Sequence, residues 1–360
     1  MKSSLHLIVL LYLVLVSHAS IACTTFCLKN GTHIVLGKNY DFYTGVGLIM
    51  VNSRNLQKTS YPAPDAKPIT WVARYGSISF NQFGKEFPCG GMNEKGLVVE
   101  SMWLDQTHYP APDSRKGMFE LQWIQYQLDN AASVAEVLAS DTLIRISRMS
   151  APIHFLLADA EGSTAIIEFI DGKTVVHTGA NLSHCALANS PYTESAGFFN
   201  SLTNPAEYLK NATNRSNDRF GKAALMARDF EGQPEVDYAF SILDAVKQGD
   251  FTQWNIVYDV KNMTVHYKTQ NNPEMRKASL TKFDFSCASS SGYREIDDPL
   301  TGEEEFLVYS YEKNRETITN AFGALDKVPE LHNFIPAKDE REILARYPES
   351  VECQNDVTVK

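Results

Sequence analysis

The chain has 360 residues and a formal charge of −10, from 33 basic and 43 acidic side chains, with 44% apolar residues. An acidic chain without clustered Lys or Arg is a poor match to nucleic acid. After Val16 no run reaches the ~20 apolar residues that cross a bilayer, so a small-molecule partner is expected and no membrane span.

Met1 and Lys2 lead into an apolar run over residues 5–16, then a polar stretch, then Ser20-Ile21-Ala22 with small residues at the positions a signal peptidase reads. Residues 1–22 are therefore expected to be a signal peptide and residues 23–360 a single exported domain, periplasmic or secreted. Sequons at Asn30, Asn181, Asn211, Asn214 and Asn262 do not decide between the two compartments.

From residue 24 the pattern turns strand-like. Residues 24–28 and 33–36 flank Asn30-Gly31 and predict a hairpin. A strand is expected within residues 70–80, and another over 97–104 after the turn Asn93-Glu94-Lys95-Gly96. Residues 118–128 and 134–143 carry apolar side chains at i, i+3 and i+4, which predicts two helices. Strands follow at 153–157, 163–169 and 174–177, separated by Glu161-Gly162 and Asp171-Gly172. Helices are expected over 219–227 and 238–246, then a second hairpin, 255–260 with 264–269. Residues 288–305, rich in Ser, Gly, Asp and Glu, read as an exposed loop in a loop-rich C-terminal extension. This order argues for an α+β fold layered around largely antiparallel sheets.

Cys23 carries the chemistry. Cleavage after Ala22 would give it both a thiol and a free α-amine, and an α-amine with a pKa of roughly 7.7–8.0 can accept the thiol proton near neutrality. A competing reading makes Cys23 the lipidated anchor of a lipoprotein. Against it, Ser20 stands where that signal has a large aliphatic residue. The remaining cysteines (Cys27, Cys89, Cys185, Cys287, Cys353) have no metal-site spacing, and the sequence leaves their pairing open, although Cys287 with Cys353 would tie down the C-terminal region. No HExxH, GxSxG, P-loop or dinucleotide fingerprint occurs, so neither a metal nor a nucleotide cofactor is expected.

Five separated segments then fall in one order: Cys23-Thr24-Thr25-Phe26, Gly37-Lys38-Asn39-Tyr40-Asp41-Phe42, Gly91-Met92-Asn93-Glu94-Lys95-Gly96-Leu97, Ala188-Asn189-Ser190-Pro191 and Asp218-Arg219-Phe220. In this order they resemble the choloylglycine hydrolase family of bile salt hydrolases, penicillin V acylases and related linear-amide hydrolases. The resemblance implies an N-terminal nucleophile hydrolase with a four-layer αββα sandwich, a small-molecule N-acyl amide substrate and a homotetramer. It also implies that Cys23 is the nucleophile, that Asp41 orients its amine, that Asn189 helps bind the oxyanion, and that Arg219 supplies a fixed positive charge. Two residues depart from the family pattern. Lys38 replaces the commoner arginine, which keeps the charge but loses the planar fork. Trp103 replaces the asparagine of many bile salt hydrolases. With Phe42 it would form an aromatic wall suited to a flat or linear acyl group, as in penicillin V or an N-acyl homoserine lactone. Bile salt hydrolysis is the alternative within the same chemistry. Met102 is a further pocket candidate, although strand alternation should turn it away from Trp103.

Overall fold

The computed structural model describes residues 23–63, 65–147, 151–289, 291–299 and 306–354. The expected signal peptide, residues 1–22, lies outside the described residues.

Two antiparallel sheets dominate. The first has six strands in the order Ala186–Leu187, Thr24–Asn30, His33–Asp41, Thr252–Asp259, Thr264–Thr269 and Arg276–Ser279. Both expected hairpins are in it. The first turns through Gly31, whose φ of 63° suits a residue without a Cβ. The second sheet has nine strands: Lys173–Thr178, Thr164–Ile170, Ile153–Ala158, Val98–Trp103, Gly90–Asn93, Ser77–Asn81, Leu48–Asn52, Gly292–Glu295 and Leu307–Val308. Helices Ser216–Arg228 and Glu235–Ala245 pack on the first sheet, and Glu120–Asn130 packs on the second. Between the sheets, Tyr258 of the first donates to Glu100 of the second, and Thr25 donates to Met102. This is the αββα order.

Several elements differ from the sequence reading. Leu48–Asn52 is a strand buried at every position. It has no alternation to reveal it, because its sheet is covered on both faces. The segment 70–80 holds two strands in different sheets, Thr70–Val72 and Ser77–Asn81. Within the loop expected at 288–305, Gly292–Glu295 pairs with Leu48–Asn52, while residues 290 and 300–305 lie outside the described residues.

The extension expected to be loop-rich also carries helices Tyr311–Leu325 and Lys338–Arg346. The longer one starts at Ser310, whose hydroxyl accepts from the Lys313 N–H. It buries Ile318, Ala321, Phe322 and Leu325, which share one face. A Cys287–Cys353 disulfide, with Cα atoms 5.5 Å apart, ties down the end of this extension, where Glu352–Cys353 pairs with the strand Leu56–Thr59. Among the described residues, no helix is long and apolar enough to cross a membrane.

Candidate active site

Cys23 immediately precedes the first strand and is only 3% exposed. Its Sγ lies 3.9 Å from the backbone oxygen of Asp41, which ends the neighbouring strand. Arg219, in the first turn of its helix, gathers the other candidates around it. One guanidinium nitrogen donates to the Cys23 carbonyl at 2.8 Å and to Thr24 Oγ1 at 2.7 Å. Another donates to Asn189 Oδ1 at 2.9 Å. That bond fixes which way the Asn189 amide faces, so its Nδ2 is the donor directed at the Trp103 carbonyl, at 2.7 Å. The Asn189 N–H is held in turn by Ser216 Oγ at 2.9 Å. The sequence-derived set Cys23, Asp41, Asn189 and Arg219 is therefore one connected cluster.

Asp41 is fully buried. Its Oδ1 accepts from Thr252 Oγ1 at 2.5 Å, and its Oδ2 lies 3.9 Å from Arg219 but has no hydrogen-bond partner among the described residues. Burial raises the Asp41 carboxyl to about 7, although Thr252, Arg219 and Lys38 all pull it down. A buried carboxylate oxygen beside Cys23 with no donor is short of one N–H bond, which is what an α-ammonium on Cys23 would supply.

Lys38 sits between the sheets, 1% exposed. It pairs with Glu100 Oε2 at 3.0 Å, donates to the Ser101 carbonyl, and lies 3.8 Å from Met102 Sδ. Burial works against its charge, yet Glu100 and Cys23 hold it above the ordinary lysine value. Burial likewise raises the Cys23 thiol. Lys38 is the strongest opposing influence, ahead of Arg219, the fixed positive charge that the resemblance implies. Glu100 was missed from sequence. The available signal was a lone charge inside the apolar strand Val98–Trp103. Gly90 leaves room for it, since a Cβ there would lie 2.3 Å from the Glu100 carboxyl carbon.

A cavity of about 610 Å³ opens on Cys23. Phe42, Met102 and Trp103 all line it. Met102 nonetheless points between the sheets, accepting from the Thr25 hydroxyl at 3.4 Å, as strand alternation requires. Phe42 and Trp103 meet different rings: Phe42 packs on Phe83 at 6.1 Å, and Trp103 meets Phe334 edge-on at 5.0 Å. Phe83 continues to Phe322 at 5.2 Å. The expected two-residue wall is thus larger, because the C-terminal extension completes it with Phe322, Leu325, Leu331, Phe334, Ile343 and Leu344. Among the described residues, Glu340 is the one charged side chain on the lining. Among the described residues, no group of three or more His, Cys, Asp or Glu side chains is placed to hold a metal ion.

Residues 23–226 match the family model described as linear amide C–N hydrolases, choloylglycine hydrolase family. The chain belongs to this family. A penicillin V acylase of Pectobacterium atrosepticum is 26% identical over 340 residues, covering 81% of this chain and 89% of that protein. The solved penicillin V acylase of Agrobacterium tumefaciens superposes with a TM-score of 0.66 at 26% identity, over 75% of this chain and 90% of that one. A conjugated bile acid hydrolase of Clostridium perfringens, at 17% identity and a TM-score of 0.61, covers 80% of this chain and 97% of its own and shares the fold. As a choloylglycine hydrolase family member, the protein is an enzyme acting on carbon–nitrogen bonds of linear amides rather than of peptides. The family match ends at residue 226, so the helices that close the cavity lie beyond it.

Proposed function

We propose that the chain is exported, cut after Ala22, and hydrolyses N-acyl amides of neutral, extended acyl groups with Cys23 as nucleophile. The observation that carries this reading is the unpartnered Asp41 Oδ2 beside Cys23, on the wall of an apolar cavity. Once freed, the Cys23 amine takes the thiol proton as sulfur attacks the amide carbonyl. The carbonyl oxygen becomes an oxyanion beside Asn189 Nδ2–H. A second donor is the Trp103 N–H. Ser101 N donates to Cys89 and Leu104 N to Pro152, so alternation directs the Trp103 N–H to the edge where Phe87 and Cys89 line the cavity. Collapse breaks the C–N bond, the ammonium protonates the departing amine, and a thioester remains. Water, deprotonated by the same amine, then releases the acid and restores the thiol.

The acyl group belongs in the apolar cavity, and the two penicillin V acylase relatives support phenoxyacetyl amides as first substrates. Burial of Cys23 weighs against the lipid-anchor reading. Cys23→Ser is expected to lower kcat roughly 10³-fold or more without loss of export, and the intact mass of the exported wild type is expected to begin at an unmodified Cys23. Undiminished hydrolysis by Cys23→Ala would sink the proposal.

Chain-length selection provides a second test. With one common amine, each added acyl methylene is expected to raise kcat/KM about threefold to fourfold until the cavity is filled, since burying a methylene is worth ~0.8 kcal/mol. Leu325→Trp is expected to end that rise at a shorter chain and to leave the shortest amides unaffected. An identical length profile in the variant would remove the C-terminal helices from acyl recognition.

A further inference from the structure

Against the segment that carries Asn189 lies a buried polar cluster that does not line the cavity and that the reaction described above does not use. His154, Glu168 and His177 come from three adjacent strands of the nine-stranded sheet, and none is more than 7% exposed. His154 Nε2 lies 2.8 Å from the carbonyl oxygen of Ala188, the residue before Asn189. Its Nδ1 lies 3.0 Å from Glu168 Oε1. Glu168 Oε1 also accepts the N–H of Tyr192 at 2.9 Å, and Oε2 faces His177 Nε2 at 3.1 Å. Ala188 and Tyr192 bracket the short segment Asn189-Ser190-Pro191. Both of its flanks therefore lead back to the same carboxylate.

The partners of the His154 ring fix its orientation. A carbonyl oxygen accepts only, so His154 Nε2 carries a proton. Glu168 works against its own burial, yet bonds from His154, His177 and the Tyr192 N–H hold its carboxyl down to about 2, so it too accepts only. The His154 ring is therefore sealed between a carboxylate and a carbonyl, both of which accept. A charge-assisted pair in this setting is short and directional, and it resists displacement.

We infer that His154 and Glu168 form a clamp that positions Asn189, so that His154 is a positioning residue for oxyanion binding although it touches neither substrate nor Cys23. Arg219 and Ser216 hold the Asn189 side chain and N–H, and the clamp holds the backbone on either side of it in the chain. Donors contribute to catalysis only when they are aimed at where charge develops, and misplacement by about 1 Å can cost roughly 10²-fold. This inference rests on the proposed role of Asn189 in the reaction.

The experiment is a double-mutant cycle between His154→Gln and Asn189→Ala, with kcat and KM measured on one amide and the alkylation rate of Cys23 measured beside them. His154→Gln keeps an amide donor but loses the ring that spans the Ala188 carbonyl and Glu168. It is expected to lower kcat roughly tenfold to 10²-fold, with KM and alkylation near wild type, because the oxyanion exists only after attack. In the Asn189→Ala background, the same change is expected to cost nothing further. An equal loss in both backgrounds, or a kcat unchanged by His154→Gln, overturns the inference. If His154→Gln does not fold, Glu168→Gln, which keeps the size and shape of the side chain, replaces it under the same criteria. A wild-type enzyme with no activity on any amide, or an Asn189→Ala variant with full activity, refutes the reaction scheme itself, and the cycle separates that outcome from a failure of the clamp.

Discussion

Lys38→Met is expected to destabilise the protein by about 3–5 kcal/mol, because it strands Glu100 in a site with no other cation in contact among the described residues. Both partners are essentially buried, and Glu100 Oε1 already accepts from the Tyr258 hydroxyl at 2.5 Å. Glu100 therefore has no route to water and must take up a proton instead. The double variant Lys38→Met/Glu100→Gln removes the orphaned charge and is expected to recover most of the stability. Reactivity should not recover with it. Lys38 is the strongest influence holding the Cys23 thiol down, so both variants are expected to alkylate more slowly than wild type at mildly alkaline pH. Urea unfolding and an iodoacetamide time course give the two readouts. Equal alkylation rates in all three proteins would leave Lys38 with a structural role only, and would return the thiolate-stabilising charge to Arg219.

The parts of this site that were legible in the sequence are those close together along the chain or marked by their type. Cys23 behind a cleavage pattern, Asp41 at a strand end, and Asn189 before Ser-Pro each signal locally, and their order supplied the rest. The hairpins were readable because their turns carry Gly31 and Lys261-Asn262-Met263, and because half-buried strands alternate. What the sequence concealed depends on contacts between distant elements. Thr252 lies 211 residues from Asp41, and Glu100 lies 62 from Lys38. His154 is a single polar position within the apolar strand Ile153–Ala158, and nothing local marks it. Its importance appears only once Ala188 and Glu168 are brought to either side of it. The C-terminal helices have a readable face at Ile318, Ala321, Phe322 and Leu325, but charged neighbours and the Ser/Gly-rich stretch before them disguised it. Their contribution to the cavity follows from long-range folding, which no local pattern carries.

Asp41 gives the largest pH effect. While the nitrogen of Cys23 remains part of a peptide bond, Asp41 Oδ2 has no donor among the described residues, and burial raises its carboxyl to about 7. The unfolded chain titrates near the ordinary aspartate value of ~3.9. Between these two values the folded state keeps a proton that the unfolded state has released. Stability therefore falls as pH rises from about 4 to about 7, by on the order of 4 kcal/mol in total, and is lost no further above that window. An α-ammonium at Cys23 would reverse the situation. It would supply the missing bond and the compensating charge, so that the carboxylate would be favourable and the neutral-pH penalty would disappear. A chain with extra residues fused ahead of Cys23 is thus expected to unfold at lower urea at pH 7.5 than at pH 5, relative to its own Asp41→Asn variant. The chain beginning at Cys23 should show no such deficit. In that mature form Asp41→Asn is expected to cost activity instead, about 10²–10⁴-fold in kcat, the range for a disabled general base. Identical pH–stability curves for the extended and mature chains would show that the Cys23 amine does not reach Asp41. The base would then have to be sought elsewhere around Cys23.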